Sequence, residues 1–160
     1  MYERYLDGIA VRVLRNGDTK TIEALFGRLS DESKRLRFGG PKPRLSAAEL
    51  AALARVDADH HVLVAYLDGD PAPVGVARLV RVGRREAEVA FAVADEHQRR
   101  GIGTALAHVL AADAEAAGFV ELHATVTGNP HAVTPLLARS TARLRSRWHA
   151  GELRVVAALD

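Results

Sequence analysis

The spacing of apolar and polar residues divides the chain into alternating segments and longer helical ones. Apolar residues at i, i+3, i+4 and i+7, namely Ile22, Leu25, Phe26 and Leu29, predict an amphipathic helix. Alternation bounded by turn residues predicts strands at 9–14, 61–67, 74–82, 87–94, 120–126, 144–148 and 153–159. Further helices are expected at 30–38, from Ser46 to about Val56, at 104–117 and at about 130–142.

Local end signals support several of these boundaries. Ser46 and Glu49 have the spacing of a capping box, with Leu45 and Leu50 at the hydrophobic-staple positions. Gly118 stands where a helix C-terminal glycine belongs. The resulting order, β-α-α-β-β-β-α-β-α-β-β, predicts a mixed α/β fold with a mostly antiparallel sheet. No repeat or linker divides the chain, so residues 1–160 are predicted to form a single domain.

Composition removes several classes of function. The chain has no cysteine, which excludes disulfides, thiolate metal sites and a cysteine nucleophile. No histidine has the spacing of a zinc-binding helix, and we expect no metal. No apolar run could span a membrane and the first residues do not start a signal peptide, so a cytoplasmic location is expected. A net charge of only +2 argues against a nucleic-acid partner.

The stretch with the clearest features of a binding site lies between the strand at 87–94 and the helix at 104–117. A helix that begins after this turn offers unpaired backbone N–H groups and the positive end of its dipole, which together attract anions. Gly101 and Gly103 remove side chains that would keep a phosphate from the backbone, and Arg99 and Arg100 add positive charge. The sequence therefore predicts a pyrophosphate ligand.

Two familiar phosphate-binding motifs do not fit this turn. The dinucleotide fingerprint requires a third glycine where this chain has Leu106, and it opens a βαβ unit, whereas several strands precede the turn here. The Walker A loop requires a Gly-Lys-Ser/Thr sequence that is absent.

The motif Gln98-Arg99-Arg100-Gly101-Ile102-Gly103 resembles the acyl-CoA loop, Q/R-x-x-G-x-G/A, of the GNAT superfamily of N-acetyltransferases. The predicted order of elements resembles the GNAT fold over nearly the whole chain. Residues 29–38 and 41–46 resemble the N-terminal region of the branch that contains the bacterial protein-lysine acetyltransferases. The resemblance implies an enzyme that uses acetyl-CoA as co-substrate and acetylates a primary amine, either a protein lysine or a small molecule.

The resemblance also implies roles for individual residues. The main chain of Phe91 and Val93 would bind the pantetheine arm, and Asn129 would contact the cofactor. Gln98, Arg99, Arg100, Gly101, Ile102, Gly103 and Thr104 would hold the pyrophosphate. Glu88, on the alternating face with Glu86, Ala90 and Ala92, matches the general base, because an amine must lose its proton before it attacks a thioester. The alternative for Glu88 is a sheet-edge carboxylate paired with an arginine such as Arg81.

The position of the family's general acid departs from the pattern. Many members have a tyrosine seven residues beyond the cofactor-binding asparagine, where this chain has Leu136. Either the CoA thiolate leaves without a side-chain acid, or His131 or Ser140 takes the role, with His131 preferred. This departure keeps a second interpretation open, a non-catalytic CoA-binding or protein-interaction module. The oligomeric state also stays open, with a homodimer through the closing hairpin as one arrangement that the fold allows.

Overall fold

The computed structural model describes residues 3–29, 45–94, 101–126, 143–149 and 152–159. The predicted helices at 30–38 and about 130–142 fall outside these ranges. Within the described ranges, no helix has both the length and the apolar character needed to cross a membrane.

Within the described ranges, eight strands, numbered along the chain with the bounds given at the end of this paragraph, form one sheet in the order β1-β2-β3-β4-β5-β6-β8-β7. Neighbouring strands are antiparallel except β5 and β6, which are parallel. The mostly antiparallel mixed sheet confirms the predicted fold class. The strands are β1 (Glu3–Leu6), β2 (Ile9–Val13), β3 (His60–Leu67), β4 (Gly75–Arg81), β5 (Glu86–Val93), β6 (Glu121–Val126), β7 (Arg143–His149) and β8 (Glu152–Ala158).

Three helices lie in the described part of the chain, and their caps follow the local sequence. Helix α1 (Thr19–Gly27) begins after Asp18, whose side chain accepts a hydrogen bond from Thr21 N. Helix α2 (Ala47–Leu53) has the complete Ser46–Glu49 capping box, although it ends before the predicted Val56. Helix α3 (Ile102–Ala116) is followed by Gly118 with a positive φ of 91°.

The two faces of the sheet pack against different helices. Helix α3 covers one face, where Leu63, Leu106 and Leu110 are fully buried among aliphatic side chains. Helices α1 and α2 cover part of the other face, where Phe26 and Leu50 pack near Val64. Burying each large aliphatic side chain contributes about 1.5–3 kcal/mol, so both helix layers are held mainly by this apolar contact.

The first hairpin is a feature that the sequence analysis missed. Strand β1 pairs with β2 through a turn at Asp7 and Gly8, both of which have positive φ. Asp-Gly between strand-like segments is a strong signal for a two-residue hairpin. The signal was present, but the preceding strand has only four residues and little apolar alternation.

Candidate active site

Strands β5 and β6 are paired over only part of their length. Their parallel register joins Glu86 to Glu121, Ala87 to Leu122 and Glu88 to His123. Strand β5 continues five residues further, to Val93, beyond the last pair, and β6 continues to Val126. The two strands therefore separate on the C-terminal side of the Glu88–His123 pair. We call the space between them, from this pair to the ends of both strands, the strand gap.

The main chain of Phe91 and Val93 is directed toward the strand gap. Ala94 N donates to Val74 O of the β4 side at 2.8 Å, whereas Val120 N, on the β6 side, donates to Arg85 O at 2.8 Å. Backbone groups alternate in direction along a strand, and the β4–β5 register runs without interruption. Odd-numbered residues of β5 consequently present their N–H and C=O groups to the β6 side.

The side chains of these odd-numbered residues pack into the hydrophobic core. Ala87 and Val89 are buried in the core beneath α3, and Phe91 and Val93 pack against the same core. Their side chains therefore contribute to the core, while their main chain is the part directed into the strand gap. The predicted role of Phe91 and Val93 required their main chain alone, and this placement is compatible with it.

Helix α3 begins beside the end of β5 with a glycine in the left-handed conformation. Gly101 is the N-cap residue, with φ of 83°, a value that other residues rarely adopt. Ile102 is buried in the core, which fixes the first turn, while Gly103 and Thr104 follow on the same turn and are half-buried. No acidic residue lies in this first turn, so the positive end of the helix dipole is not offset there.

Glu88 lies on the sheet face opposite α3, next to the lower end of the strand gap. Its side chain is exposed, and its strand neighbours are Val80 on β4 and His123 on β6. Arg81 lies opposite Ala87, and its Nε contacts Asp59 Oδ1 at 3.1 Å. The alternative pairing of Glu88 with Arg81 is therefore wrong, since the two side chains project from opposite faces of the sheet.

A histidine between two carboxylates lies beside Glu88 and was not anticipated from the sequence. His123 Nε2 is 3.6 Å from Glu121 Oε1 and 3.8 Å from Glu86 Oε2, and no hydrogen-bond partner for this buried nitrogen lies within the described ranges. The donor atoms of the three residues lie within 4.8 Å of one another, a spacing compatible with a divalent cation or with a simple ion-pair cluster. Arg145 Nη2 also contacts Glu121 Oε2 at 3.2 Å. The strand alternation placed Glu86 on this face, but only the parallel pairing brings His123 to it.

Other predicted site residues lie outside the described ranges. These are Gln98, Arg99, Arg100, Asn129 and His131, together with Leu136 at the position of the family's tyrosine.

Three features occur together here: the strand gap, helix α3 with Gly101 at its start, and the carboxylate of Glu88. This arrangement is the one expected of an acyl-CoA-dependent transferase. The family model of the acetyltransferase (GNAT) family matches residues 28–134, and the chain belongs to that family. The predicted fold and the predicted enzyme class, a GNAT-family acetyltransferase, are thereby confirmed.

Solved structures agree with this assignment. The GNAT domain of PAT from Streptomyces lividans is 29% identical, with a TM-score of 0.83 over 94% of this chain and 90% of that chain. The cAMP-binding acyltransferase from Mycobacterium smegmatis is 26% identical, with a TM-score of 0.63 over 95% of this chain, which spans only 44% of that protein. Spermidine N-acetyltransferase from Vibrio cholerae, solved with CoA and spermine, has a TM-score of 0.73 over 96% of each chain, and at 17% identity it shows the fold alone. Among curated proteins, none matches this chain in sequence.

Proposed function

We propose that this chain transfers the acetyl group of acetyl-CoA to a primary amine by direct attack, with Glu88 as the general base. The observation that carries the proposal is the strand gap, because the main chain of Phe91 and Val93 is directed into it and the exposed carboxylate of Glu88 lies next to its end. A pantetheine arm can pair with β5 there as an added strand would. The structures of related fold solved with CoA support acetyl-CoA as the co-substrate.

Each part of the site has a chemical task in this proposal. Backbone N–H groups of Gly103 and Thr104 at the start of α3, with Gln98, Arg99 and Arg100 before it, would hold the pyrophosphate, and Asn129 would contact the same co-substrate. The N–H of Val93 would polarise the thioester carbonyl.

The reaction proceeds through a tetrahedral intermediate. Glu88 removes a proton from the acceptor ammonium, directly or through a water, because the protonated amine cannot attack. The nitrogen forms a bond to the carbonyl carbon and then loses one of its two remaining protons to solvent. Collapse of the intermediate breaks the carbon–sulfur bond and leaves a neutral amide. The CoA thiolate then leaves, with its proton supplied by His131 or by solvent. The proposal also includes two further expectations. Residues 1–160 form a single domain, and the protein acts in the cytoplasm.

The experiment is a measurement of CoA release with a panel of amines and lysine peptides. Because the chain contains no cysteine, a thiol reagent reports CoA without background from the protein. Glu88→Gln should lower kcat by about 10²- to 10⁴-fold, the usual contribution of an acid-base group. The affinity for CoA, measured by calorimetry, should stay close to that of the wild type.

Glu86→Gln is the matched control, since it removes the same charge from the same face two residues away. We expect it to retain nearly full kcat. An unchanged kcat for Glu88→Gln, or a loss confined to Glu86→Gln, would reject Glu88 as the base. Binding of CoA without turnover on any amine would favour the non-catalytic module, which the leucine at position 136 left open.

A further inference from the structure

An apolar cavity that is open to solvent lies between α1, α2 and the face of β4 and β5 that carries Glu88, and the empty space in it, including the part open to solvent, is about 430 Å³. Its walls are apolar and include Phe26, Leu29 and Leu45, and part of its floor is formed by Ala90 and Ala92. Ala90 follows Glu88 on this face of β5. Ala90 and Ala92 alternate along the strand with Phe91 and Val93, whose main chain is directed into the strand gap. The cavity is therefore adjacent to the place where the acceptor amine must sit.

One charged side chain, Arg78, lines this apolar cavity. It lies on β4 directly opposite Ala90, and its Nη2 donates to the carbonyl of Ala52 in α2 at 3.1 Å. Its Nε is buried and has no hydrogen-bond partner in the part of the chain that the structure describes. Burial lowers the pKa of Arg78, which reports the cost of keeping this charge away from water.

Arg78 forms no ion pair with any of the described residues. Its one hydrogen bond there goes to a neutral carbonyl, whereas half-buried Arg28 contacts Asp70 at 3.3 Å. A cation in apolar surroundings is costly unless an anion compensates it. A carboxylate that enters the cavity would form a charge-assisted hydrogen bond with the guanidinium and reduce that cost.

The register places Arg78 close to Glu88. Arg78 faces Ala90 and Val80 faces Glu88, so Arg78 and Glu88 are diagonal neighbours on one face, about 7–8 Å apart at Cα. A small acceptor can therefore reach both side chains, with its amine toward Glu88 and a carboxylate toward Arg78. Any apolar group on the carbon between them would extend into the cavity.

We propose that the acceptor is an apolar α-amino acid, whose carboxylate pairs with Arg78 while its side chain fills the cavity and its amine faces Glu88. This inference rests on the proposed acetyl transfer. A polyamine would place further cations beside Arg78 and would lose affinity by repulsion. A lysine within a peptide has no carboxylate next to its reactive amine.

The test compares free amino acids with the matching primary amides as acceptors. Methionine, leucine and phenylalanine should each give a kcat/KM about 10- to 100-fold higher than their amides, the range of a charge-assisted hydrogen bond. Spermidine and a lysine peptide should be poorer acceptors than the free amino acids. Glycine should also be poor, because it leaves the cavity empty.

Arg78→Met removes the charge but keeps an apolar side chain that can pack in the cavity. It should lower kcat/KM for the free acids to the level of the amides, leave the amides unchanged and retain CoA binding. Arg78→Lys should keep part of the preference for the free acid. Arg147→Met, on the exposed edge strand β7, is the matched control and should behave as the wild type.

The outcomes separate the two proposals. Acetylation of spermidine or lysine peptides with no acetylation of free amino acids would overturn this inference and leave the proposed transfer intact. An acid-to-amide ratio that Arg78→Met does not change would also overturn it. Absence of turnover with every amine in the panel would reject both proposals.

Discussion

Replacing Gly75 with alanine would test how closely β4 approaches the helix that starts the site. Gly75 lies in β4 opposite Val93. A Cβ at this position would lie 2.9 Å from Ile102 Cγ2, 3.0 Å from Leu106 Cδ1 and 3.4 Å from the carbonyl oxygen of Ala92. Ile102 and Leu106 are fully buried, so neither side chain can swing into open space.

The expected cost follows from this crowding. An extra methyl group in a packed core typically costs about 1–3 kcal/mol, and each kcal/mol lowers Tm by about 2–4 °C in a chain of this size. Gly75→Ala should therefore lower Tm by about 2–12 °C. Because Ile102 lies in the first turn of α3 and Ala92 lies beside the strand gap, the affinity for CoA should also fall.

Thermal unfolding followed by circular dichroism measures Tm, urea unfolding measures the free energy of unfolding, and calorimetry well below Tm measures the affinity for CoA. Gly27→Ala is the control, because Gly27 is exposed at the end of α1 and a Cβ there meets nothing within 4 Å. It should be neutral or stabilising by up to about 1 kcal/mol, given the higher helix propensity of alanine. If Gly75→Ala equalled the wild type in both measurements, the close contact between β4 and α3 would be refuted.

Three other changes test the packing and electrostatics of the described chain. Leu110→Ala, in the fully buried face of α3, should cost about 2–5 kcal/mol in urea unfolding, and a loss below 1 kcal/mol would contradict the core assignment. Ser46→Ala removes the capping box of α2 and should cost about 0.5–2 kcal/mol in the same assay, whereas no change would mean that the cap is not formed. The pKa of Asp57 is lowered first by the hydrogen bond with His60 and then by the backbone N–H of Asp59. Its stabilising effect is present above the unfolded pKa of about 3.9 and is lost as pH falls toward the lower folded value, so Asp57→Asn should flatten the acid decline in stability measured by unfolding at a series of pH values.

Helix ends that carry a capping signal were well predicted because such signals are local, whereas α2 ends at Leu53 and not at the predicted Val56. Ser46 caps α2 through a hydrogen bond from the residue three positions away, and Gly118 adopts the positive φ that its position at a helix end suggested. Interactions over so few residues leave a direct trace in the sequence. Trp148 shows the limit of this reasoning, since no local signal indicates that its side chain is 63% exposed on the edge strand β7.

The sequence by itself determined the strand that carries Glu88, the face on which it lies with Ala90 and Ala92, and the glycine that follows the end of α3. These features depend on the period of a strand and on backbone conformations at single residues. Only the tertiary structure decided that β5 and β6 separate above Glu88, that His123 lies beside it, and that Arg78 enters an apolar cavity. Each of these depends on pairing or packing between segments distant in the chain, whose register no local pattern encodes.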